Sequence, residues 1–240
     1  MTRKYVLIHG AWQGEWAWQP VAEKLRAEGN EVLTFDLPGS GQDLTLPANI
    51  TLEVYADTII SRVKEFSDAG DITLVGHSMG GAAVTLAAAL APELFSHIVY
   101  VCAFVPRTGE SVAGLGEESK QLGVTGPKAD IKLEDGVARL ITEDIPGTFF
   151  NDCNENHYHH LVQSFGPQPL GPIITPLSSG AEMIRLPKTY IICAKDKAVS
   201  PILQRTMAER ARINDIRVLE SGHEPFISVP NALIQQLINI

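Results

Sequence analysis

Three residues have the types and the order in the chain that nucleophilic catalysis requires: Ser78, Asp196 and His223. Ser78 lies in GHSMG at residues 76–80, which fits the G-x-S-x-G pattern of a serine at a sharp turn between a strand and a helix. A serine hydroxyl is a poor nucleophile unless a base takes its proton. Where this turn carries a nucleophile, the acid and the base follow in the order Ser, Asp or Glu, His, so the order favours acyl transfer.

The residues around Ser78 support this interpretation. ITLV at residues 72–75 predicts a strand, AAVTLAAALA predicts a helix, and Pro92 follows that helix. Glycines at 76 and 80 let the strand and the helix approach each other. The alternative is a serine that only caps the helix, but the strand immediately before it favours the nucleophile.

The acid and the base are predicted at the ends of later strands. Asp196 follows the apolar run 189–194 at the carboxyl edge of the predicted sheet, where open α/β sheets place their chemistry. His223 follows the last predicted strand in LESGHEPF. Glu220 is the reserve acid, whereas Asp215 precedes its strand and is predicted at the opposite edge.

The other histidines have less favourable positions. We interpret His77, His9 and His97 as packing or loop residues beside strands. Cys153 with NHYHH at residues 156–160 could form a Cys/His metal cluster. A second ligand cluster with metal spacing is missing from the sequence, so we predict a helix of a cap domain there and no metal.

Acyl transfer also needs N–H donors for the oxyanion that forms. We predict the backbone N–H of Met79, which follows the serine, and that of Ala11 in IHGAW, after the first strand. Gly10 lets the backbone approach the substrate closely.

Alternating strands and helices must position these residues. The strands are near-continuous apolar runs, which indicates a parallel sheet covered on both faces, an α/β doubly wound fold. We predict strands at 5–8, 31–36, 72–75, 98–103, 189–194 and 216–219, and helices at 19–28, 52–66, 80–90, 201–210 and 230–237. Residues 107–186 break the alternation, so we predict a core of 1–106 and 187–240 with a mainly helical cap inserted at 107–186.

Composition limits the partners and the compartment. The 240 residues are 45% hydrophobic and 20% charged, with a formal net charge of -9, which is typical of a globular protein and disfavours nucleic acid. The N-terminal MTRKYVLIHG lacks signal-peptide features, and apolar stretches of membrane-spanning length are absent from the sequence. Three cysteines, an odd number, favour free thiols, so we predict a cytoplasmic protein with no membrane partner.

Motifs along nearly the whole chain resemble the α/β-hydrolase superfamily. They are LIHGAWQGEWAW, FDLPGSGQD, GHSMGG, FFNDC, TPLSS, CAKDKAVSP and SGHEPFISVP. More narrowly, the chain resembles the group of plant methylesterases, salicylic-acid-binding proteins and hydroxynitrile lyases, with their bacterial esterase relatives.

The resemblance implies Ser78, Asp196 and His223 as a triad, Ala11 and Met79 as oxyanion donors, and an apolar pocket under the cap. It requires no cofactor, and a homodimer has to be considered because relatives are often dimers. The candidate pocket residues are Gly10, Trp12, Phe104, Phe149, Phe150 and Phe226.

These features predict a serine carboxylesterase that hydrolyses a small, apolar or aromatic ester through an acyl-enzyme. Hydroxynitrile lyase, lactonase and C–C hydrolase are alternatives on the same triad, and a non-catalytic small-molecule receptor is another. Hydroxynitrile lyases typically have threonine in place of Gly10 and lysine in place of Glu224. A carboxylate at 224 would oppose departing cyanide, so the esterase is favoured over the lyase.

Overall fold

The computed structural model describes residues 2–67, 69–123 and 126–240, apart from the side chain of His157. Met1 and Asp68 of the predicted core and residues 124–125 of the predicted cap therefore lie outside the described residues. Six parallel strands form the main sheet: β1 (Lys4–Ile8), β2 (Glu31–Thr34), β3 (Ile72–His77), β4 (Phe95–Val101), β8 (Lys188–Cys193) and β9 (Asp215–Leu219). Their order across the sheet is β2-β1-β3-β4-β8-β9.

Helices cover both faces of this sheet. Successive β1 residues point to opposite faces, so Val6 and Ile8 join one hydrophobic cluster while Tyr5 and Leu7 join the other. The first cluster includes residues of α2 (Leu52–Phe66), α3 (Gly80–Leu90) and α8 (Pro201–Arg210), and the second includes residues of α1 (Gln19–Ala27), α9 (Pro225–Ser228) and α10 (Pro230–Ile238). The predicted α/β doubly wound fold is confirmed.

In the segment between β4 and β8 helical residues outnumber strand residues, as predicted, although loops make up a large part of it. Its helices are α4 (Val112–Gln121), α5 (Ile145–Phe149), α6 (Glu155–Tyr158) and α7 (Gly171–Ile174). It also contains a small antiparallel sheet that we did not predict, formed by β5 (Ala129–Lys132), β6 (Val137–Leu140) and β7 (Gln168–Pro169). The boundaries of the cap at 107 and 186 stay a prediction. Within the described ranges, every helix is too short or too polar to cross a membrane.

The strand order determines where loops can converge. β1 lies between β2 and β3, so the chain winds in opposite directions on the two sides of β1. In open α/β sheets, ligands bind in the crevice at the carboxyl ends of strands at such a reversal. The loops after β1 and β3, which carry Ala11 and Ser78, meet at this point.

Candidate active site

Ser78 stands at a strained turn between β3 and α3. Its φ angle is +52°, in the left-handed region that non-glycine residues rarely adopt. The turn is held because the backbone N–H of Ser78 donates to Val101 O (3.3 Å) and its carbonyl accepts from Phe104 N–H (2.9 Å). Gly76 is required nearby, since a Cβ there would lie 2.7 Å from Cγ2 of Val84. The serine hydroxyl is therefore presented above the carboxyl edge of the sheet.

Asp196, His223 and Ser78 form a continuous chain of hydrogen bonds. Nε2 of His223 lies 3.0 Å from Ser78 Oγ, and Nδ1 of His223 lies 2.7 Å from Asp196 Oδ2. All three side chains are buried. The carboxylate also accepts from Ala198 N–H (2.7 Å), Val199 N–H (2.9 Å) and Gln204 Nε2 (2.9 Å). Because a carboxylate only accepts, it holds the proton of the neutral imidazole on Nδ1 and leaves Nε2 free to take the serine proton.

The two alternative acids lie elsewhere. The Glu220 side chain is 77% exposed, and its Oε2 lies 3.9 Å from Lys195 Nζ. Asp215 begins β9 and pairs with Arg217 at 2.9 Å, away from the carboxyl edge. Asp196 is therefore the carboxylate that contacts the His223 ring.

Two backbone donors face the same space as the serine. Ala11 and Met79 both line a cavity that also reaches Ser78 and His223. Within the described ranges, the N–H groups of Ala11 and Met79 have no protein acceptor. Gly10 permits this approach, since a Cβ on it would lie 2.8 Å from Ser78 Cβ and 2.9 Å from His77 Nδ1. Free donors beside a serine hydroxyl can stabilise a developing oxyanion.

The cavity has a volume of about 350 Å³ and a mostly apolar wall. Of the predicted pocket residues, Trp12, Phe104 and Phe149 lie on the wall. The segment between β4 and β8 contributes Val112, Ala129, Ile131, Ala138, Leu170, Ile173 and Ile174. The largely exposed ion pair of Lys120 with Glu117 (2.9 Å) also borders the cavity.

Three pocket predictions are wrong. Gly10 is not on the wall, because its backbone packs directly against Ser78 and His77. Phe226 packs behind the base, with its ring 4.9 Å from the ring of His77 and 5.1 Å from that of Trp18. Phe150 stacks on Tyr158 at 4.9 Å instead of facing the cavity. Phe150 and Phe226 adjoin site residues in sequence, but their rings contact other neighbours outside the cavity wall.

Glu224 differs most from expectation. We expected its carboxylate in the pocket, but it is fully buried behind His223, with both oxygens 2.8 Å from Gln13 Nε2. Burial raises the pKa of Glu224 well above its usual value, and the nearby charges of Asp196 and Asp152 raise it further. Glu224 therefore places no carboxylate in the pocket to oppose departing cyanide, and the absence of a lysine at 224 and of a threonine at 10 still disfavours a lyase. Gln13 was not identified from the sequence, where its only signal was that it is a polar residue in the IHGAWQG loop.

His77 is a packing residue with polar contacts on both ring nitrogens. Its Nε2 donates to the carbonyl of His223 (2.8 Å), and Cys102 Sγ donates to the same oxygen (3.4 Å). The side chains of His77, Cys102 and His223 offer ligand atoms within 4.8 Å of one another. His77 and Cys102 share the carbonyl oxygen of His223 as acceptor, which accounts for their closeness to His223. The alternative cluster of Cys153 depends on His157, whose side chain lies outside the described part of the chain.

The comparisons with known proteins agree with this architecture. The chain is 29% identical over 257 residues to putative methylesterase 12, chloroplastic, of Arabidopsis thaliana, covering 100% of this chain and 72% of that protein. Over 113 residues it is 41% identical to a carbendazim hydrolyzing esterase of a Nocardioides species, covering 46% of each protein. The crystal structure of a polyneuridine aldehyde esterase mutant superposes with a TM-score of 0.87 at 20% identity, covering 100% of this chain and 99% of the other. Residues 5–236 match the alpha/beta hydrolase family, and the chain therefore belongs to that family.

Proposed function

We propose that this protein is a serine carboxylesterase, with Ser78 as nucleophile, His223 as base and Asp196 as the acid that orients it. The observation that carries the proposal is the chain of hydrogen bonds from Asp196 through His223 to Ser78. Beside it lie the N–H groups of Ala11 and Met79, which have no acceptor in the part of the chain that the structure describes. The names of methylesterase relatives that match 100% of the chain support ester hydrolysis.

The geometry suits the following reaction. His223 Nε2 takes the proton of Ser78 Oγ, which attacks the ester carbonyl carbon. The carbonyl oxygen becomes negative and binds the N–H groups of Ala11 and Met79. One such donor contributes about 3–4 kcal/mol in other hydrolases. His223 then protonates the departing alcohol, and a water molecule activated by the same imidazole cleaves the acyl-enzyme. This chemistry uses no metal or organic cofactor.

Cavity size and lining favour a small apolar or aromatic ester. A volume of about 350 Å³ lies at the lower end of the range for ligand sites. Trp12, Phe104 and Phe149 offer aromatic contacts. The names of the plant relatives support a methyl ester, in which the alcohol part is small. Carbendazim is the second candidate, supported by the name of the Nocardioides relative.

A substrate panel and covalent trapping test the proposal together. We expect hydrolysis of p-nitrophenyl esters that falls with rising acyl-chain length, and hydrolysis of aromatic methyl esters. A fluorophosphonate should label Ser78, as located by peptide mass spectrometry. Ser78→Ala should lose both activities, whereas Ser119→Ala, which removes another buried hydroxyl on the cavity wall, should still be labelled. Full hydrolysis by Ser78→Ala would refute the mechanism.

The same panel separates the alternative functions. Cleavage of cyanohydrins or lactones in preference to esters would indicate a lyase or a lactonase. Stoichiometric binding with slow turnover of every ester would indicate a receptor. We also propose a cytoplasmic location, which suits the free cysteines 102, 153 and 193, although some relatives are named as chloroplastic. A homodimer is a separate proposal that size-exclusion chromatography with light scattering would test.

A further inference from the structure

A buried carboxyl group behind the catalytic base has no part in the reaction described above. Glu224 directly follows His223, is 0% exposed and does not border the cavity. Both of its oxygens lie 2.8 Å from Nε2 of Gln13, which is 211 residues away in the chain. Burying a carboxyl is costly unless it is hydrogen-bonded, so an apolar residue would be the simpler choice for packing alone. The contact with Gln13 therefore calls for an explanation.

Gln13 connects Glu224 to the loop that carries an oxyanion donor. While its Nε2 donates to Glu224, its Oε1 accepts from the N–H of Gly10 at 3.0 Å. The reverse orientation of the amide would place two donors against each other at Gly10. Gly10 directly precedes Ala11, so the side chain of Gln13 determines where this part of the loop lies relative to Glu224.

Further buried contacts link Glu224 to the strand that leads to the nucleophile. Nε2 of His77 donates to the carbonyl of His223 at 2.8 Å, so the lone pair of the neutral ring is on Nδ1. Nδ1 lies 3.2 Å from Oε1 of Gln13, and because both atoms are acceptors this contact is not a hydrogen bond. His77 precedes Ser78, and His223 precedes Glu224. The loops after β1, β3 and β9 are thus joined by buried hydrogen bonds behind the reacting atoms.

We propose that Gln13 and Glu224 are positioning residues, which keep the Ala11 N–H and the His223 imidazole in place around Ser78. This inference rests on the proposed esterase function. A carboxyl group suits position 224 because it offers acceptors to the amide of Gln13, which an apolar side chain could not do. The pair acts through its neighbours, since neither residue reaches the cavity.

Reciprocal exchange of the two residues tests the proposal. Glu224→Gln replaces one of the two oxygens that face Gln13 Nε2 with an NH2 donor, and Gln13→Glu removes that donor and places two carboxyls together. We expect each to lower kcat by about tenfold to a hundredfold, as for a buried polar group that loses its partner, with little change in KM. In the double exchange, the new carboxylate at position 13 can accept from Gly10 N–H and from the new amide at position 224. The kcat of the double variant should therefore recover by at least about tenfold over the single variants.

A second readout reports on the oxyanion site itself. An aryl trifluoromethyl ketone forms a hemiketal with a reactive serine and places its oxygen where the oxyanion develops. Its affinity should fall with kcat in the single variants and recover in the double variant. Thr85→Val is the matched control, since it breaks buried hydrogen bonds to Tyr100 (3.0 Å) and to the Gly81 carbonyl (2.7 Å), and Thr85 does not line the cavity. It should lower the thermal midpoint and leave the ketone affinity unchanged.

The outcomes are distinguishable. If the single variants lose thermal stability but keep kcat and ketone affinity, Gln13 and Glu224 have only a structural role and the proposal is overturned. A folded double variant that is no better than the singles would also overturn the proposal. If the exchanges fail to fold, Glu224→Asp, which shortens the carboxyl by one methylene, must still lower kcat and ketone affinity, and unchanged values would overturn it. A wild-type protein that neither hydrolyses esters nor reacts with a fluorophosphonate would instead refute the proposed function.

Discussion

The indole Nε1–H of Trp12 donates a hydrogen bond to the backbone carbonyl of Ala138, which lies 126 residues away in β6 (3.0 Å). Trp12 follows Ala11 and has a φ angle of +63°, which is strained for a bulky side chain. Such a conformation costs about 1–3 kcal/mol and persists where surrounding contacts hold it. Here Gln168 Oε1 accepts from Trp12 N–H (3.2 Å) and Gly166 N–H donates to Trp12 O (2.8 Å). The small sheet between β4 and β8 therefore supports the loop of the proposed oxyanion donor.

Removing the support of Gln168 should impair catalysis without touching the cavity. Gln168→Leu leaves the N–H of Trp12 without its acceptor, so the loop can relax away from its strained conformation. We expect kcat for p-nitrophenyl butyrate to fall about tenfold, because a small misplacement of a donor is costly in the transition state. Tyr55→Phe is the control, as it removes the other side-chain partner of Gln168 (3.2 Å) and keeps the contact with Trp12. Equal kcat in Gln168→Leu and wild type would contradict this role.

Asp196→Asn should inactivate the protein while leaving its fold intact. The new amide would donate to Nδ1 of His223 and force the ring proton onto Nε2, where it blocks the acceptance of the serine proton. The equivalent change in a serine protease lowers kcat by about 10⁴. Stopped ester hydrolysis with an unchanged circular dichroism spectrum would agree with this. Glu220→Gln is the matched control and should hydrolyse esters at the wild-type rate. The reverse pattern would make Glu220 the acid.

The carboxyl-edge residues were predictable because parallel strands bring their ends together. Ser78, Asp196 and His223 each follow an apolar run, so a local pattern was enough to place them at one edge. Side-chain partners across the fold were not predictable in this way. Glu224 adjoins the base in sequence, but its partner Gln13 lies in another loop, and hydrophobic patterns do not define such contacts.

The residues that line the pocket were also only partly predictable from the sequence. The aromatic residues 150 and 226 are next to site residues in sequence, but the turn of a short helix points each toward a different neighbour. Trp12, Phe104 and Phe149 were placed by their positions after strands or in the inserted segment. The small sheet of that segment escaped prediction because its strands have only two to four residues among glycines and prolines.

Gly10→Ala should distort the site through a steric contact. The added methyl would lie 2.8 Å from Ser78 Cβ and 2.9 Å from Nδ1 of His77, closer than real Cβ contacts. The loop must then retreat and take the Ala11 N–H with it, so we expect kcat to fall by about a hundredfold, the cost of one oxyanion donor. Gly147→Ala is a suitable control, since the space around its Cβ position is open within 4 Å. Ester hydrolysis and thermal midpoints would be measured for both, and wild-type kcat in Gly10→Ala would exclude a close contact.

Buried His9 should make the protein less stable in mild acid. Its Nε2 accepts from Leu37 N–H (3.0 Å) and its Nδ1 lies 2.8 Å from Gly10 O, so the ring is neutral with its proton on Nδ1. Burial lowers the pKa of His9, and burial also lowers that of His77. Below about pH 6.5 these histidines are protonated in the unfolded chain but stay neutral in the folded protein. The free energy of unfolding therefore falls as pH falls. Glu224 acts in the opposite sense, because its raised pKa lets the folded state take up a proton first.

A variant isolates the contribution of His9 from these other groups. His9→Gln keeps an acceptor for Leu37 N–H but cannot titrate. The slope of the unfolding free energy against pH should therefore be smaller than in wild type by up to about 1.4 kcal/mol per pH unit between about pH 5 and about pH 6.5. Urea unfolding at several pH values measures this slope. The exposed His160 supplies the control, and His160→Gln should follow the wild-type slope. If the unfolding free energies of His9→Gln and wild type had the same slope against pH, His9 would take up a proton as readily in the folded protein as in the unfolded chain. That result would contradict the prediction, because a protonated His9 could not accept the hydrogen bond from Leu37 N–H.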